Sequence, residues 1–138
     1  MRKQFGTLII SIFFLCGLLP VSAQGANFAG TWNLRMTPTK DTCNLGLAGK
    51  PLNLNGIVIK QNGSRATLKL QGISFAAIVS GNTIKGSGSV SKSGVKISGT
   101  IKATLVSKKR MSVPSTKINI TGKGVSCYVL LKGTGTKV

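Results

Sequence analysis

Val95-Lys96-Ile97-Ser98-Gly99-Thr100-Ile101-Lys102-Ala103-Thr104-Leu105 alternates without a break. Val95, Ile97, Gly99, Ile101, Ala103 and Leu105 share one parity, and lysine, serine and threonine fill the other. A period of two marks a half-buried β-strand, because successive side chains point to opposite faces. The pattern continues outward in both directions. Residues 83–90 set Ile84, Gly86, Gly88 and Val90 against Lys85, Ser87 and Ser89, and residues 65–70 set Ala66, Leu68 and Leu70 against Arg65, Thr67 and Lys69. Trp32, Leu34 and Met36 oppose Thr31, Asn33 and Arg35, while Ile118 and Ile120 oppose Lys117 and Asn119. No segment carries a convincing helical period, although residues 45–48 allow a short turn.

The punctuation between these runs fits tight antiparallel connections. Asn62-Gly63 is the strongest hairpin signal, since both residue types tolerate positive φ. Gly72, Ser80-Gly81-Asn82 and Ser93-Gly94 mark further reversals. Lys108-Lys109-Arg110 through Pro114 reads as a longer loop, because proline cannot donate to a central ladder. Strands are expected near 30–37, 55–61, 65–71, 73–79, 83–90, 95–106, 115–122 and 126–133. Eight sequential strands with short turns predict an all-β fold, an eight-stranded antiparallel up-and-down barrel, with a two-sheet sandwich as the alternative. The inward glycines Gly86, Gly88 and Gly99 would relieve crowding in a small barrel; the other reading is room for a ligand.

Residues 1–23 read as a secretory signal peptide. Arg2 and Lys3 supply a basic start, residues 7–19 are mostly apolar, and Val21-Ser22-Ala23 puts small residues at the cleavage position. The apolar run is short for a span of about 20 residues, so no membrane span is expected after cleavage. The expected domain, residues 24–138, keeps two of the three cysteines, Cys43 and Cys127. An even pair in an exported domain implies a disulfide, and two free thiols are the alternative. The protein is expected to be exported, either periplasmic or secreted.

Nineteen basic residues face one acidic residue, Asp41, and no histidine, for a net charge of +18. Without Glu or His there can be no carboxylate pair, no Ser-His-Asp or Cys-His nucleophile and no ordinary zinc site. The chain therefore reads as a non-enzyme, with no cofactor or metal. Arg35, Arg65, Lys69, Lys85, Lys96, Lys102 and Lys117 fall on the polar parity of their strands, and loops add Lys108, Lys109 and Arg110. This predicts a positive outer coat, with Lys69, Lys85, Lys96, Lys102, Lys108, Lys109 and Arg110 as candidate anion-binding residues. Anionic polymers or lipid head groups are the implied partners. Nucleic acid is not supported as a dedicated partner, because single-strand platforms need stacking aromatics. The expected domain has four aromatics: Phe28, Trp32, Phe75 and Tyr128.

Gly30-Thr31-Trp32 at the start of the first strand resembles the G-x-W of the lipocalin and avidin barrels. That resemblance implies that Gly30 and Trp32 close one end of the barrel. The wider pattern is similar to a group of small exported bacterial β-barrel proteins of unassigned function. Gly30–Trp32, Cys43, Ser80-Gly81-Asn82 and Ser126-Cys127 carry the likeness. Avidins line their ligand site with several tryptophans, whereas this chain has one, so biotin binding is not implied. Small-barrel protease inhibitors place their two cysteines close in sequence, unlike Cys43 and Cys127. The function expected is binding to anionic envelope or extracellular polymers through a basic surface. The alternatives are a lipocalin-like carrier of a small apolar ligand and an inhibitor of an exported protease.

Overall fold

A computed structural model describes residues 26–138; the signal peptide expected at residues 1–23 lies outside them. Eight strands follow one another: β1 (Gly30–Asp41), β2 (Leu52–Asn62), β3 (Arg65–Leu70), β4 (Ile73–Ser80), β5 (Thr83–Lys92), β6 (Val95–Ser107), β7 (Arg110–Gly122) and β8 (Val125–Lys137). Each pairs antiparallel with the next, and β1 pairs with β8, so the sheet is a closed up-and-down barrel rather than a sandwich. Closure removes the continuous sheet edges that an open meander would present. Residues 45–48 form bends and a turn, with no helix.

The inward parity of the sequence becomes the core. Trp32, Leu34 and Met36 of β1 meet Ile57 and Ile59 of β2, Ala66, Leu68 and Leu70 of β3, and Phe75, Ala77 and Val79 of β4. Fully burying one such side chain contributes about 1.5–3 kcal/mol. Gly88 and Gly99 let the small barrel close. A Cβ on Gly88 would lie 2.1 Å from the Ser74 carbonyl oxygen, and one on Gly99 would lie 2.9 Å from both Phe75 and Ile118. The space at these glycines is already filled by neighbouring atoms.

Strands β1, β2 and β7 switch parity, each through a bulge; in β1 the shift between Pro38 and Lys40 turns Lys40 outward. In β2 the inward residues run Leu52, Leu54, then Ile57 and Ile59, because Asn55 and Gly56 together oppose Asn33. Gly56 takes a φ of +73° there, and its N–H donates to Asn33 Oδ1 at 3.0 Å. In β7 the inward residues run Met111, Val113, then Thr116 and Ile118, with the register shift spanning Pro114 and Ser115. The expected loop through Pro114 is therefore incorrect: only Lys108 and Lys109 form the turn, and β7 begins at Arg110. A bulge leaves its extra residue out of the ladder, so the missing N–H of proline costs nothing there.

One end of the barrel is sealed by residues 26–29. Gln61 accepts from the Phe28 N–H through Oε1 at 2.7 Å and donates through Nε2 to the Ala26 carbonyl at 2.9 Å. Ala26 also donates to Gly81 O in the β4–β5 turn. Trp32 Nε1 donates to Phe28 O at 2.8 Å, and both aromatic residues are 0% exposed. Gly30 has a φ of +135°, and the stem of Lys137 passes 3.2 Å from where a Cβ would be, with the ammonium 5.3 Å from the centre of the Trp32 ring. The G-x-W thus couples the arm, the first strand and the last.

The opposite end carries the disulfide. Cys43 and Cys127 are bonded, tying the 42–51 loop to β8 across 84 positions. The Asp41 carboxylate accepts from the backbone N–H groups of Cys43, Leu45 and Leu47 at 3.0, 2.8 and 3.2 Å. The only acidic side chain of the protein is thus engaged in shaping this loop.

Candidate functional site on the outer face of β5 to β8

Register converts the outward parity into a regular array. Across β5, β6 and β7 the rungs read Lys85–Lys102–Ser115, Ser87–Thr100–Lys117, Ser89–Ser98–Asn119 and Ser91–Lys96–Thr121. Every one of these side chains is exposed or half-buried. With about 3.3 Å per residue and about 4.8 Å between strands, the field spans roughly 20 Å by 10 Å. It offers ammonium groups, hydroxyls and one amide, and no carboxylate. Two shallow depressions lie along it. One is bounded by Ile78, Lys85, Ser87, Thr100, Lys102 and Ser115, the other by Ser87, Ser89, Lys96, Ser98, Thr100 and Asn119.

The field continues onto β8 through Tyr128, the partner of Asn119. Lys117 Nζ lies 4.6 Å and Lys40 Nζ 5.5 Å from the centre of the Tyr128 ring. The quadrupole of the ring attracts both cations, holding them over its surface. Tyr128 is fixed from behind: its N–H donates to Thr42 Oγ1 at 2.7 Å, and its carbonyl accepts from the Thr42 N–H and hydroxyl.

Of the residues expected to bind anions, Lys85, Lys96 and Lys102 share this face. Lys69 stands on the outer face of β3 opposite Ser74, away from it around the wall. Lys108, Lys109 and Arg110 sit at the β6–β7 turn, where Arg110 faces Ser107 and Thr136. All seven are exposed, and they form a dispersed coat rather than one pocket. The hydroxyl rungs and the pairing of Lys117 and Lys40 with Tyr128 depend on cross-strand register. One chain's alternation assigns faces but not neighbours.

The interior holds side chains where a carrier would hold a ligand: Phe28, Trp32, Phe75, Met36 and Val113 are all fully buried within it. Among the described residues no cluster of His, Cys, Asp and Glu is placed to hold a metal ion. Comparison with protein-family models found no match, and neither did comparisons with curated proteins and with solved structures.

Proposed function

We propose that this protein is an exported, non-catalytic binding protein that engages anionic polymers of the cell envelope or its surroundings through the outer face of β5, β6 and β7. The observation that carries this reading is the four-rung array of lysines and hydroxyls with no acid within it. Cations spread over about 20 Å suit a repeating polyanion better than one small anion. Each ammonium meets a separate phosphate, sulfate or carboxylate, while serine and threonine hydroxyls donate to the oxygens between. The disulfide is consistent with an oxidising, exported location. The packed interior favours surface binding over internal carriage. A sequence without Glu or His, whose one carboxylate caps a loop, favours binding over catalysis.

The test is retention on immobilised heparin and on a carboxylated polysaccharide, against a neutral dextran control. The wild-type protein elutes from both anionic matrices only as salt screens the contacts. Replacing Lys85 and Lys102 by serine lowers the eluting salt more than replacing Lys108 and Lys109 does. Equal effects of the two double substitutions would reduce the array to general charge and defeat the assignment.

A further inference from the structure

We propose that the disulfide end of the barrel is a docking tip for anionic lipid bilayers, a site separate from the polymer-binding face. The wall of the barrel is uneven at this end. The β2–β3 ladder reaches only Ile59 with Leu68, and the β4–β5 ladder stops at Phe75 with Gly88. β5 and β6 continue together to Lys92 and Val95, and β7 and β8 meet at Gly122 and Val125. Inward-parity aliphatic residues therefore emerge above the short β3–β4 hairpin. Val90 is 37% and Val125 50% exposed, and Val95, Ile97 and Ile120 beside them are half-buried. The 42–51 loop, pinned here by the Cys43–Cys127 bond, adds Leu45 at 55% exposure.

Lysines surround this apolar tip. Lys50 lies on the loop and Lys92 at the end of β5, both exposed. Lys123 occupies the β7–β8 turn, its stem 3.5 Å from where a Cβ on Gly94 would lie. The one carboxylate at this end, Asp41, is turned onto backbone amides. Aliphatic side chains ringed by ammonium groups match a bilayer interface, where lipid phosphates meet the cations and the apolar tip enters the headgroup–acyl boundary. A second copy of this chain is a poor occupant, because it would bring the same lysines into apposition. The other end of the barrel is closed by Phe28 and Trp32, which leave a pocket bordered by Leu105, Val106, Lys108 and Lys137.

Flotation of the oxidised protein with phosphatidylglycerol-containing vesicles, against phosphatidylcholine-only vesicles, tests the site. The protein is expected to float with the anionic vesicles, and a fraction should stay bound at the salt that releases it from heparin. Leu45→Ser combined with Val125→Ser should weaken that salt-resistant partitioning about tenfold, equivalent to losing roughly two buried methylenes. Both side chains are substantially exposed, so the fold should persist, checked by circular dichroism and an intact disulfide. Heparin elution of this variant should be unchanged, whereas Lys85→Ser with Lys102→Ser should shift heparin elution and leave the salt-resistant vesicle binding in place. Failure of the wild type to float, its complete release at the heparin-eluting salt, or undiminished binding by the Leu45 and Val125 variant would overturn the proposal. Loss of heparin retention alone would count only against the polymer reading.

Discussion

Lys85 and Lys102 are direct cross-strand partners on the outer face of the β5–β6 ladder, with no acidic side chain in the surrounding rungs. Like charges in this geometry are destabilising, by roughly 0.2–1 kcal/mol per pair. Lys102→Glu should therefore stabilise the barrel by about 0.5 kcal/mol or more at low salt, with the gain fading as salt rises. The same substitution should lower retention on heparin. Urea midpoints at two ionic strengths, set beside the heparin elution position, measure the opposition between stability and binding. If stability rises while heparin retention stays constant, this pair has no part in polymer binding.

One side chain makes two of the hydrogen bonds that hold the N-terminal arm. Gln61 holds both Phe28 N–H and Ala26 O, and Phe28 O in turn receives the Trp32 indole N–H. Gln61→Ala should loosen the arm at a cost of about 1–3 kcal/mol, from two part-buried hydrogen bonds worth about 0.5–1.5 kcal/mol each. Trp32 is the only tryptophan of the chain, so its emission should shift to the red as water reaches the ring. An unshifted spectrum with unchanged stability would show that Phe28 packing and the bonds of Ala26 to Gly81 and of Trp32 to Phe28 hold the arm without Gln61.

The disulfide closes a long loop of chain, and its 84-position separation corresponds to about 4–5 kcal/mol on the chain-entropy account. Small domains are stable by only about 5–15 kcal/mol. Replacing Cys43 and Cys127 by serine should consume much of that margin. The first consequence should be local: the 42–51 loop keeps the hydrogen bonds of Asp41, of Thr42 to Tyr128 and of Gly49 to Pro38 but loses its covalent tie, and becomes the earliest site of proteolytic nicking. Limited proteolysis with mass mapping reads the order of cleavage. Nicking that begins at the β2–β3 or β4–β5 turns would contradict this.

The barrel was legible wherever alternation was uninterrupted. β3, β4, β5 and β6 match the expected strands to within two residues at either end, because Gly63, Gly72, Gly81 and Gly94 sit in the turns between them. The alternation marked only the later parts of β2 and β7, because Gly56 and Pro114 lie in bulges that shift the inward parity by one residue. A sequence break in parity can mean either a strand end or a bulge, and only the continuing ladder on the neighbouring strand separates them. The candidate site was half visible. Lys85, Lys96 and Lys102 were placed outward by parity, but their serine and threonine neighbours on adjacent strands were a matter of register. Tyr128 with Lys40 and Lys117 gave no local signal, since the three residues come from three strands. Val90 was expected inside and is partly exposed, because the β4–β5 ladder ends at Gly88.

The bulge in β7 leaves one further mark. Thr116, the first residue after it, turns inward between Ile101 of β6 and Leu131 of β8 and is 4% exposed. Its hydroxyl has no hydrogen-bond partner among the described residues. A buried hydroxyl in that state costs about 1–3 kcal/mol, and valine presents the same branched shape without it. Thr116→Val should accordingly stabilise the barrel by roughly 1–2 kcal/mol, read as a higher urea midpoint with an unchanged slope. The dispersed lysines outside are untouched by this change, so heparin and vesicle binding should remain as in the wild type. A drop in stability of similar size would mean that the hydroxyl holds an ordered water against the bulged backbone, the usual partner for a polar group in so confined a site.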